Sequence, residues 1–541
     1  MFTKNPISLK NSTKIWSVLG ILFLSILIQG CSKSQSDAIS GGKTKVKINL
    51  SVGPSEEEIV AVGRSKQQQP VQPKIQYSSV SISPDVTMEV TLVREDQQDQ
   101  QKSFAASKAA NSSVSPASQE VNKALEPGVR YRVAVYDNAG AHIANYDYAY
   151  GKENPNDGIE LEADQTYTFI AYSVNSVSEL PNIIDQKHLS TAKLSQISGD
   201  LMFFKRTLKL TMGTNLLAVV LKHQFSQITT TLQMDKSMTG AIEVLTGVQI
   251  SPSRAHADLS FSNETLQYAD ATKNVPVVFP AFDAGSRDVV SGNTMLISPK
   301  TVSANLSIAK LKLDGTEKSD LKIPNIKITP GSRYNLVLNF KVCTEDVTSN
   351  AMNWNYPERK WKEGFKWYTG IYKTDERRYY KNNEVIRNTF SAPQANYGFL
   401  FDITRFDNAL NMEINGQFIF GRSANDQVQF QTNSKLGTLR NIQFIDGTEY
   451  ATKGIPEVFD MQGTAAAPLL RVLISRNGEV TLFGSKRNGG PLMELRLKNN
   501  AKFNNVRWNE TGANQVVVTQ KVDGATIIVG VGKGRKVVRC R

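Results

Sequence analysis

The chain has 541 residues, of which 21% are charged, and its formal net charge is +13. Because a single hydrophobic core rarely serves more than about 250 residues, this length excludes a one-domain protein and favours about three domains. The three cysteines and four histidines show no spacing typical of a metal site, so we expect no metal and no cofactor.

Residues 1–31 have the features of a bacterial lipoprotein signal peptide. Lysines and no acidic residue precede an apolar run at residues 15–28, which is shorter than the about 20 residues that a spanning helix needs. The sequence "LIQGC" then resembles a lipobox, although Ile28 and Gln29 depart from the usual residues, and the resemblance implies that Cys31 is acylated. The alternative is an ordinary signal peptide with an incidental cysteine. Acyl chains would anchor the protein in the outer membrane, and an export signal argues against nucleic acid as a partner.

Strand patterns begin after a small, polar segment at residues 32–43, which we interpret as a tether. From residue 44 the apolar residues recur with a period of two, which is typical of a half-buried strand. No long helical period follows, so residues 44–178 are predicted to form an N-terminal β-sandwich. Within them, residues 97–122 hold few large apolar side chains and are predicted to form a long exposed loop.

Turn signals define individual strand pairs. Residues 131–148 are predicted to form a hairpin with its turn at Asp137–Gly140, and residues 157–176 are predicted to form another. The second unit, residues 179–342, repeats the pattern and is predicted to form a second β-sandwich. It ends in "RYNLVLNF", in which the alternate residues of Tyr334–Phe340 are predicted to face one core.

Four phrases carry a resemblance to a family. "YRVAVYDNAGAHIANYDYAYG", "LEADQTYTFIAYSVNS", "LKHQFSQITTTLQ" and "PGSRYNLVLNF" follow one another in the order in which they occur in the fimbrillin-like proteins of Gram-negative surface pili. The resemblance covers roughly residues 44–342 and implies two consecutive fimbrillin-type β-sandwiches. His223 matches the family's histidine in the third phrase, and we predict that it is packed and hydrogen-bonded.

The family resemblance also implies a way of assembling. Such subunits lose an N-terminal strand by cleavage after an arginine, and the groove left behind accepts a strand from the next subunit. The candidate arginine here is Arg64, in "AVGRSKQQQPVQP". A stacking subunit also needs a free C-terminal donor strand, whereas here the strand runs into Cys343 and about 200 further residues. The departure favours a tip or accessory subunit, or a surface lipoprotein that does not polymerise.

Residues 343–541 form a basic last third, with 28 Lys and Arg against 19 Asp and Glu. Many short strand patterns with frequent turn signals predict a C-terminal β-sandwich or jelly-roll-like domain. Cys343 and Cys540 stand near its two ends. In an oxidising compartment they would close this segment by a disulfide, and the alternative is two isolated thiols.

The densest aromatic segment lies early in that third. Of the 27 residues at 354–380, nine are aromatic, against 8% in the whole chain. Aromatic faces stack on sugar rings and arginines pair with acidic groups, so this segment predicts binding of glycans or other anionic surface ligands. The alternative is that the aromatic residues pack into a core. The candidate ligand-binding residues are Trp354, Trp361, Trp367, Arg377 and Arg378.

Catalytic motifs are weaker than these binding features. Asp402, Asp407 and Glu413 lie close in sequence and are candidates for the carboxylate pair of a glycosidase, but Asp407 sits in a turn pattern where aspartate is favoured for backbone hydrogen bonding. We therefore expect no enzyme. The sequence favours an all-β cell-surface lipoprotein, either a pilus tip or accessory subunit or an adhesin with a C-terminal binding head. The alternative is a non-polymerising surface lipoprotein that binds glycans.

Overall fold

The computed structural model describes residues 42–53, 75–95, 123–153, 158–283, 286–432 and 439–540. Cys31, Arg64 and the loop predicted at residues 97–122 lie outside these stretches. Within them the chain consists mainly of β-strands and connecting turns, with a short 3-10 helix at Val458–Asp460, which confirms the predicted all-β class. No helix in the described part of the chain is long and apolar enough to span a lipid bilayer.

The strands fall into three groups along the chain. The first group is β1 (Lys43–Gly53), β2 (Ile75–Ser83), β3 (Val86–Arg94), β4 (Arg130–Tyr136), β5 (His142–Ala149), β6 (Ile159–Glu162), β7 (Thr166–Ser173), β8 (Lys193–Ile197), β9 (Met202–Lys209) and β10 (Thr214–His223). The second group is β11 (Ser226–Met234), β12 (Ile242–Arg254), β13 (Ala257–Ser260), β14 (Leu266–Tyr268), β15 (Thr272–Pro276), β16 (Asp288–Val290), β17 (Thr294–Leu296), β18 (Val302–Leu313), β19 (Thr316–Ile328) and β20 (Arg333–Val342). The third group is β21 (Thr344–Asp346), β22 (Asn350–Tyr356), β23 (Arg359–Glu363), β24 (Lys366–Lys373), β25 (Arg378–Lys381), β26 (Val385–Pro393), β27 (Phe399–Phe406), β28 (Ala409–Ile414), β29 (Gln417–Phe418), β30 (Val428–Gln429), β31 (Ile442–Phe444), β32 (Leu470–Ile474), β33 (Val480–Ser485), β34 (Leu492–Leu497), β35 (Ala513–Lys521) and β36 (Thr526–Val537).

The first sheet has seven strands in the order β5-β4-β7-β9-β10-β1-β6. The predicted hairpin of β4 and β5 is confirmed, and its turn is closed by a hydrogen bond from the Gly140 N–H to the Asp137 carbonyl at 3.0 Å. The hairpin predicted at residues 157–176 is wrong, because β6 pairs with β1 while β7 lies between β4 and β9. The burial patterns explain the separation: β7 is buried at nearly every position, as a central strand requires, whereas β6 alternates as an edge strand does.

β2 and β3 combine with strands of the second group to form a sandwich of two main sheets, which we call the second sandwich. One has the order β16-β11-β20-β3-β2, and the other has the order β15-β12-β18-β19. In β20 the alternate residues of Tyr334–Phe340 are buried in the core between them, which confirms the predicted face. The sheets do not divide at residue 178, because β2 and β3 join the second sandwich while β9 and β10 join the first sheet. The position of each strand depends on partners that are distant in sequence. For example, β3 belongs to the second sandwich because it pairs with β20.

A polar cluster around the buried Asp200 connects the first sheet with the second sandwich. The Asp200 carboxylate lies 2.8 Å from Nδ1 of His223, which is at the end of β10, and accepts a hydrogen bond from Arg333 of β20 at 2.6 Å. Asn175 donates a third hydrogen bond at 3.0 Å. Burial disfavours the charged carboxylate, but these partners outweigh burial and lower the pKa of Asp200. The prediction that His223 is packed and hydrogen-bonded is confirmed.

The third group, β21 to β36, which we call the third strand set, encloses its own core. The sheet β21-β36-β27-β32-β33-β34-β31, with β22 also paired to β36, packs against the sheet β26-β35-β28-β29. The predicted hairpin of β32 and β33 is present, with Gly478 in its turn. Cys343 and Cys540 are joined by a disulfide, which links the end of β20 to the residues that follow β36.

The third strand set also packs on the second sandwich. Tyr397 lies in the core of the second sandwich, and its hydroxyl accepts a hydrogen bond from the Thr239 N–H at 3.2 Å. The buried Arg535 guanidinium donates to the Ser237 carbonyl and lies over the Tyr397 ring. Arg476 donates to the backbone carbonyl of residue 314 at 2.8 Å. These contacts hold the C-terminal strands against the second sandwich.

Candidate functional site

The predicted aromatic segment folds in large part as a three-stranded antiparallel meander, β23-β24-β25. Trp361 lies opposite Tyr368 in the register, and Tyr372 lies opposite Tyr379. Because successive side chains of a strand point to opposite sides, these four aromatic residues share one face, which we call the outer face. The meander thus collects residues from three strands into one candidate binding surface.

The rings of the outer face contact one another in a row. The centroids of Trp361 and Tyr379 are 4.6 Å apart with an interplanar angle of 29°, and Tyr379 and Tyr372 are 4.8 Å apart. Trp361 also stacks with Tyr368 at 6.1 Å. Such cross-strand aromatic pairs stabilise a sheet. The row gives the surface both apolar rings and tyrosine hydroxyls, which are the groups that sugars use for stacking and hydrogen bonding.

Charged groups flank the aromatic row. Glu363 accepts a hydrogen bond from Nε1 of Trp361 at 2.8 Å and another from Nζ of Lys381 at 2.9 Å. These two bonds, the one from Trp361 first, lower the pKa of Glu363, and the bond to Glu363 raises the pKa of Lys381. Nζ of Lys381 also lies 3.8 Å from the centroid of the Tyr368 ring, in cation–π contact. The outer face therefore offers fixed cations beside its rings.

The base of the meander is fixed to the core. Ile371 has no exposed area, and Lys373 is 3% exposed. Nζ of Lys373 donates to Asp375 at 2.8 Å and also to Glu376, which accepts a further bond from the Tyr380 hydroxyl. Burial opposes the charge of Lys373, but its two carboxylate partners outweigh burial and raise its pKa. This anchored base gives the outer face a rigid support.

The structure does not bring the predicted ligand-binding residues together. Trp367 and Arg378 lie on the face of the meander opposite to Trp361, as the register requires. Trp367 is 68% exposed, and the Arg378 guanidinium lies over the Tyr380 ring at 4.5 Å. Arg377 occupies the turn between β24 and β25 with a φ of 53°. Of the predicted set, Trp361 alone belongs to the outer face.

Trp354, which was predicted to bind a ligand, lies in a core and not on the meander. It lies on β22, which pairs with β36, and it is 3% exposed. Its indole belongs to the core cluster of the third strand set together with Met352 and Ile528. Because a buried ring has no surface to offer, Trp354 is a core residue and the packing alternative applies to it.

Sequence reasoning missed most of the outer face. Tyr368, Tyr372, Tyr379, Glu363 and Lys381 were not singled out as candidate ligand-binding residues. The signal that could have found them is the Glu-Gly-Phe-Lys turn, which closes a hairpin with a short connection. Once that turn is assigned, the period of two places Glu363 and Tyr368 on the same face as Trp361.

A second candidate surface is the position that β1 occupies in the first sheet, between β10 and β6. β1 pairs in parallel with β10 along Lys45–Gly53 and antiparallel with β6. Val46 has no exposed area and Leu50 is 9% exposed, and both pack in the core beside Leu217 of β10. Removal of β1 would leave a groove with unpaired backbone groups on both sides and an uncovered apolar floor.

The carboxylates considered for catalysis have separate partners. Arg471 donates two hydrogen bonds to Asp402, at 2.6 and 3.0 Å. Glu413 lies 3.9 Å from Arg387. Asp407 is buried and accepts hydrogen bonds from neighbouring N–H groups. Among the described residues, no group of three or more His, Cys, Asp and Glu side chains could hold a metal ion.

Asp407 should make the third strand set sensitive to pH. Its carboxylate accepts hydrogen bonds from Gln520 at 2.7 Å and from the N–H groups of Asn408 and Ile527, yet burial outweighs them and raises its pKa from 3.8 to about 7. A raised pKa means that the folded state binds this proton more tightly than the unfolded state. Its contribution to stability is therefore full below pH 3.8 and is lost as the pH rises toward 7.

The measurement is urea unfolding of the wild type and of Asp407→Asn at several pH values. We expect the free energy of unfolding of the wild type to fall relative to that of the variant as the pH rises from 4 to 7, by at most about 1.4 kcal/mol per pH unit. Asn removes the titration while keeping the shape of the side chain. Parallel pH profiles for the two proteins would contradict the raised pKa.

No protein-family model matches the chain. No curated protein matches it either. Among solved structures, it is similar to a candidate cell adhesion protein from Bacteroides fragilis, at 14% identity and a TM-score of 0.30, over 56% of this chain and 100% of that chain.

Two further solved structures are similar to a comparable degree. One is the fimbrial anchor protein of Porphyromonas gingivalis, at 14% identity and a TM-score of 0.28, over 42% of this chain and 87% of that one. The other is a fimbrial assembly protein from Parabacteroides distasonis, at 13% identity and a TM-score of 0.24, over 47% and 90% of the two chains.

Proposed function

We propose that the protein is a cell-surface lipoprotein of fimbrillin-like type, which serves as a pilus tip or accessory subunit and carries an adhesive head at residues 343–541. The four ordered phrases in residues 44–342 support the fimbrillin-like body. Acylation of Cys31 would bring the chain to the outer membrane, where the head meets glycans or other anionic surface ligands.

The observation that supports this proposal most is the position of β1. The strand lies between β10 and β6, and the candidate cleavage residue Arg64 follows it in the chain. A cut after Arg64 would release β1 together with the acylated N-terminus. The exposed groove would then accept an extended segment of another subunit, with backbone hydrogen bonds supplying affinity and alternate side chains supplying specificity.

The third strand set supports a terminal position in a filament. β36 pairs with β27 on one side and with β21 and β22 on the other, so its backbone groups are engaged. The disulfide between Cys343 and Cys540 holds the residues after β36 beside the end of β20. A segment held in this way is not available as a donor strand, so the body would accept a strand without passing one on.

A second candidate function is a surface glycan-binding lipoprotein that does not polymerise. The complete pairing of β1 favours it, because the first sheet has no open position while β1 stays in place. In that case Arg64 is not cut and Cys31 remains the permanent anchor. The outer face of the meander would serve the same binding role in both candidates.

Mass spectrometry of the mature N-terminus, from cells and from purified filaments, tests the proposal. We expect two forms of the wild type: an acylated chain beginning at Cys31 on cells, and a chain beginning at Ser65 in filaments. The matched control Arg64→Ala should accumulate in the acylated form and should be depleted from filaments.

The opposite outcome selects the second candidate. If the wild-type chain always begins at acylated Cys31 and never enters filaments, the pilus role is wrong. A chain on cells that keeps Cys31 but carries no acyl groups on it would contradict the lipoprotein assignment itself.

A further inference from the structure

The turn between β23 and β24 carries two exposed aromatic side chains. Phe365 is 101% exposed and Trp367 is 68% exposed, and Phe365 has the highest exposure among the large hydrophobic side chains of the described residues. Gly364 has a φ of +60°, and a Cβ placed there would meet nothing within 4 Å. This turn therefore projects Phe365 into solvent. We call Phe365, Trp367 and the neighbouring Lys360 and Lys362 the tip.

The tip combines apolar rings with positive charge. Lys362 lies directly opposite Trp367 in the register, and Lys360 lies on the same side of β23 two residues away. Both lysines are exposed. Interfacial membrane anchors have this composition, with aromatic rings that enter the boundary between headgroups and acyl chains and cations that contact anionic headgroups.

The geometry distinguishes the tip from the outer face. Glu363 is the one carboxylate in the sequence from Arg359 to Trp367, and it belongs to the outer face, where it accepts hydrogen bonds from Trp361 and Lys381. A sugar at the tip would find rings and ammonium groups but no such acceptor for its hydroxyls. A lipid surface needs no acceptor, because its interface accepts apolar rings and supplies the anions itself.

We propose that the tip binds an anionic lipid bilayer, with Phe365 and Trp367 entering the interfacial region while Lys360 and Lys362 contact anionic headgroups. Ile371 and the buried Lys373 fix the base of the meander, and the tip lies at its opposite end. The inference goes beyond the proposed function and does not depend on glycan binding, since the outer face points the other way.

The test is co-sedimentation of the chain from Ser32 onward, which carries no acyl groups, with vesicles. Vesicles of phosphatidylcholine with 30% phosphatidylglycerol are compared with vesicles of phosphatidylcholine alone. We expect binding to the anionic vesicles that weakens with salt and falls about tenfold or more in a Phe365→Ala, Trp367→Ala double variant. Lys360→Glu with Lys362→Glu should lower binding to the anionic vesicles and leave binding to the neutral ones unchanged.

The matched control is Tyr77→Ala, which removes an aromatic ring that is 74% exposed on β2, away from the meander. It should bind anionic vesicles as the wild type does. Because all these side chains are exposed, each variant should keep the wild-type thermal unfolding curve. The proposal is overturned if the wild type does not bind anionic vesicles, or if the double variant binds as well as the wild type. It is also overturned if soluble polygalacturonate competes fully with the vesicles for a Trp361→Ala variant, whose outer face is weakened as a glycan site, because the tip would then be a glycan site.

Discussion

Replacing Trp361 by alanine should reduce the binding of acidic glycans at least about tenfold, which is the loss expected for a central aromatic residue of a binding surface. The indole stacks on Tyr379 at 4.6 Å and on Tyr368 at 6.1 Å, and its Nε1 holds Glu363 at 2.8 Å. Without the indole, Tyr379 loses one of its two ring partners and Glu363 loses one of its two donors. The row therefore loses both apolar area and its fixed geometry.

The measurement is a glycan array followed by titration of the ligands found. Trp361→Phe keeps a ring but removes the N–H, so it should bind with intermediate affinity. Trp367→Ala removes a tryptophan from the opposite face of the same meander and should retain glycan binding. If Trp361→Ala binds as the wild type does, or if Trp367→Ala loses the binding instead, the outer face is not the glycan site.

Loss of the disulfide should destabilise the third strand set by up to about 5 kcal/mol. The bridge joins Cys343 to Cys540 across a sequence separation of 197, and closing so long a loop in the unfolded chain removes a large conformational entropy. Much of the loop is the third strand set itself, so its unfolding should respond more than that of the first sheet. The change is Cys343→Ser together with Cys540→Ser, which leaves no unpaired thiol at either position.

Urea unfolding followed by tryptophan fluorescence measures this effect, because Trp354, Trp361, Trp367 and Trp508 all lie in residues 343–541. The expected result is a lower transition midpoint for the double variant, matched by the wild type under reducing conditions. A transition in the oxidised wild type that coincides with that of the double variant would mean that the bridge contributes nothing to stability.

Local patterns in the sequence predicted the fold where partners are close in the chain. β4 and β5, and likewise β32 and β33, are joined by short turns, so turn chemistry and a period of two suffice to pair them. The face of β20 was also predictable, because its alternate residues are apolar. The pairing of β6 with β1, and of β3 with β20, depends on partners more than about 100 residues away, for which a local pattern holds no information.

The candidate site shows the same limit at the scale of side chains. Residues 354–380, chosen for their aromatic density, include the end of β22 as well as the meander, and density does not tell a core ring from a surface ring. Register decides that Trp354 enters the core while Trp361 and Trp367 take opposite faces of one meander. The partner of His223 was likewise out of reach, because Asp200 and Arg333 come from other elements.

Immunogold labelling of residues 343–541 on intact cells would show where the proposed adhesive head lies. A fimbrillin-like body is proposed to present this head at the end of a filament. We predict label at filament tips in the wild type, and its loss from tips in Arg64→Ala. Label spread over the cell surface and absent from filaments in both strains would contradict this proposal.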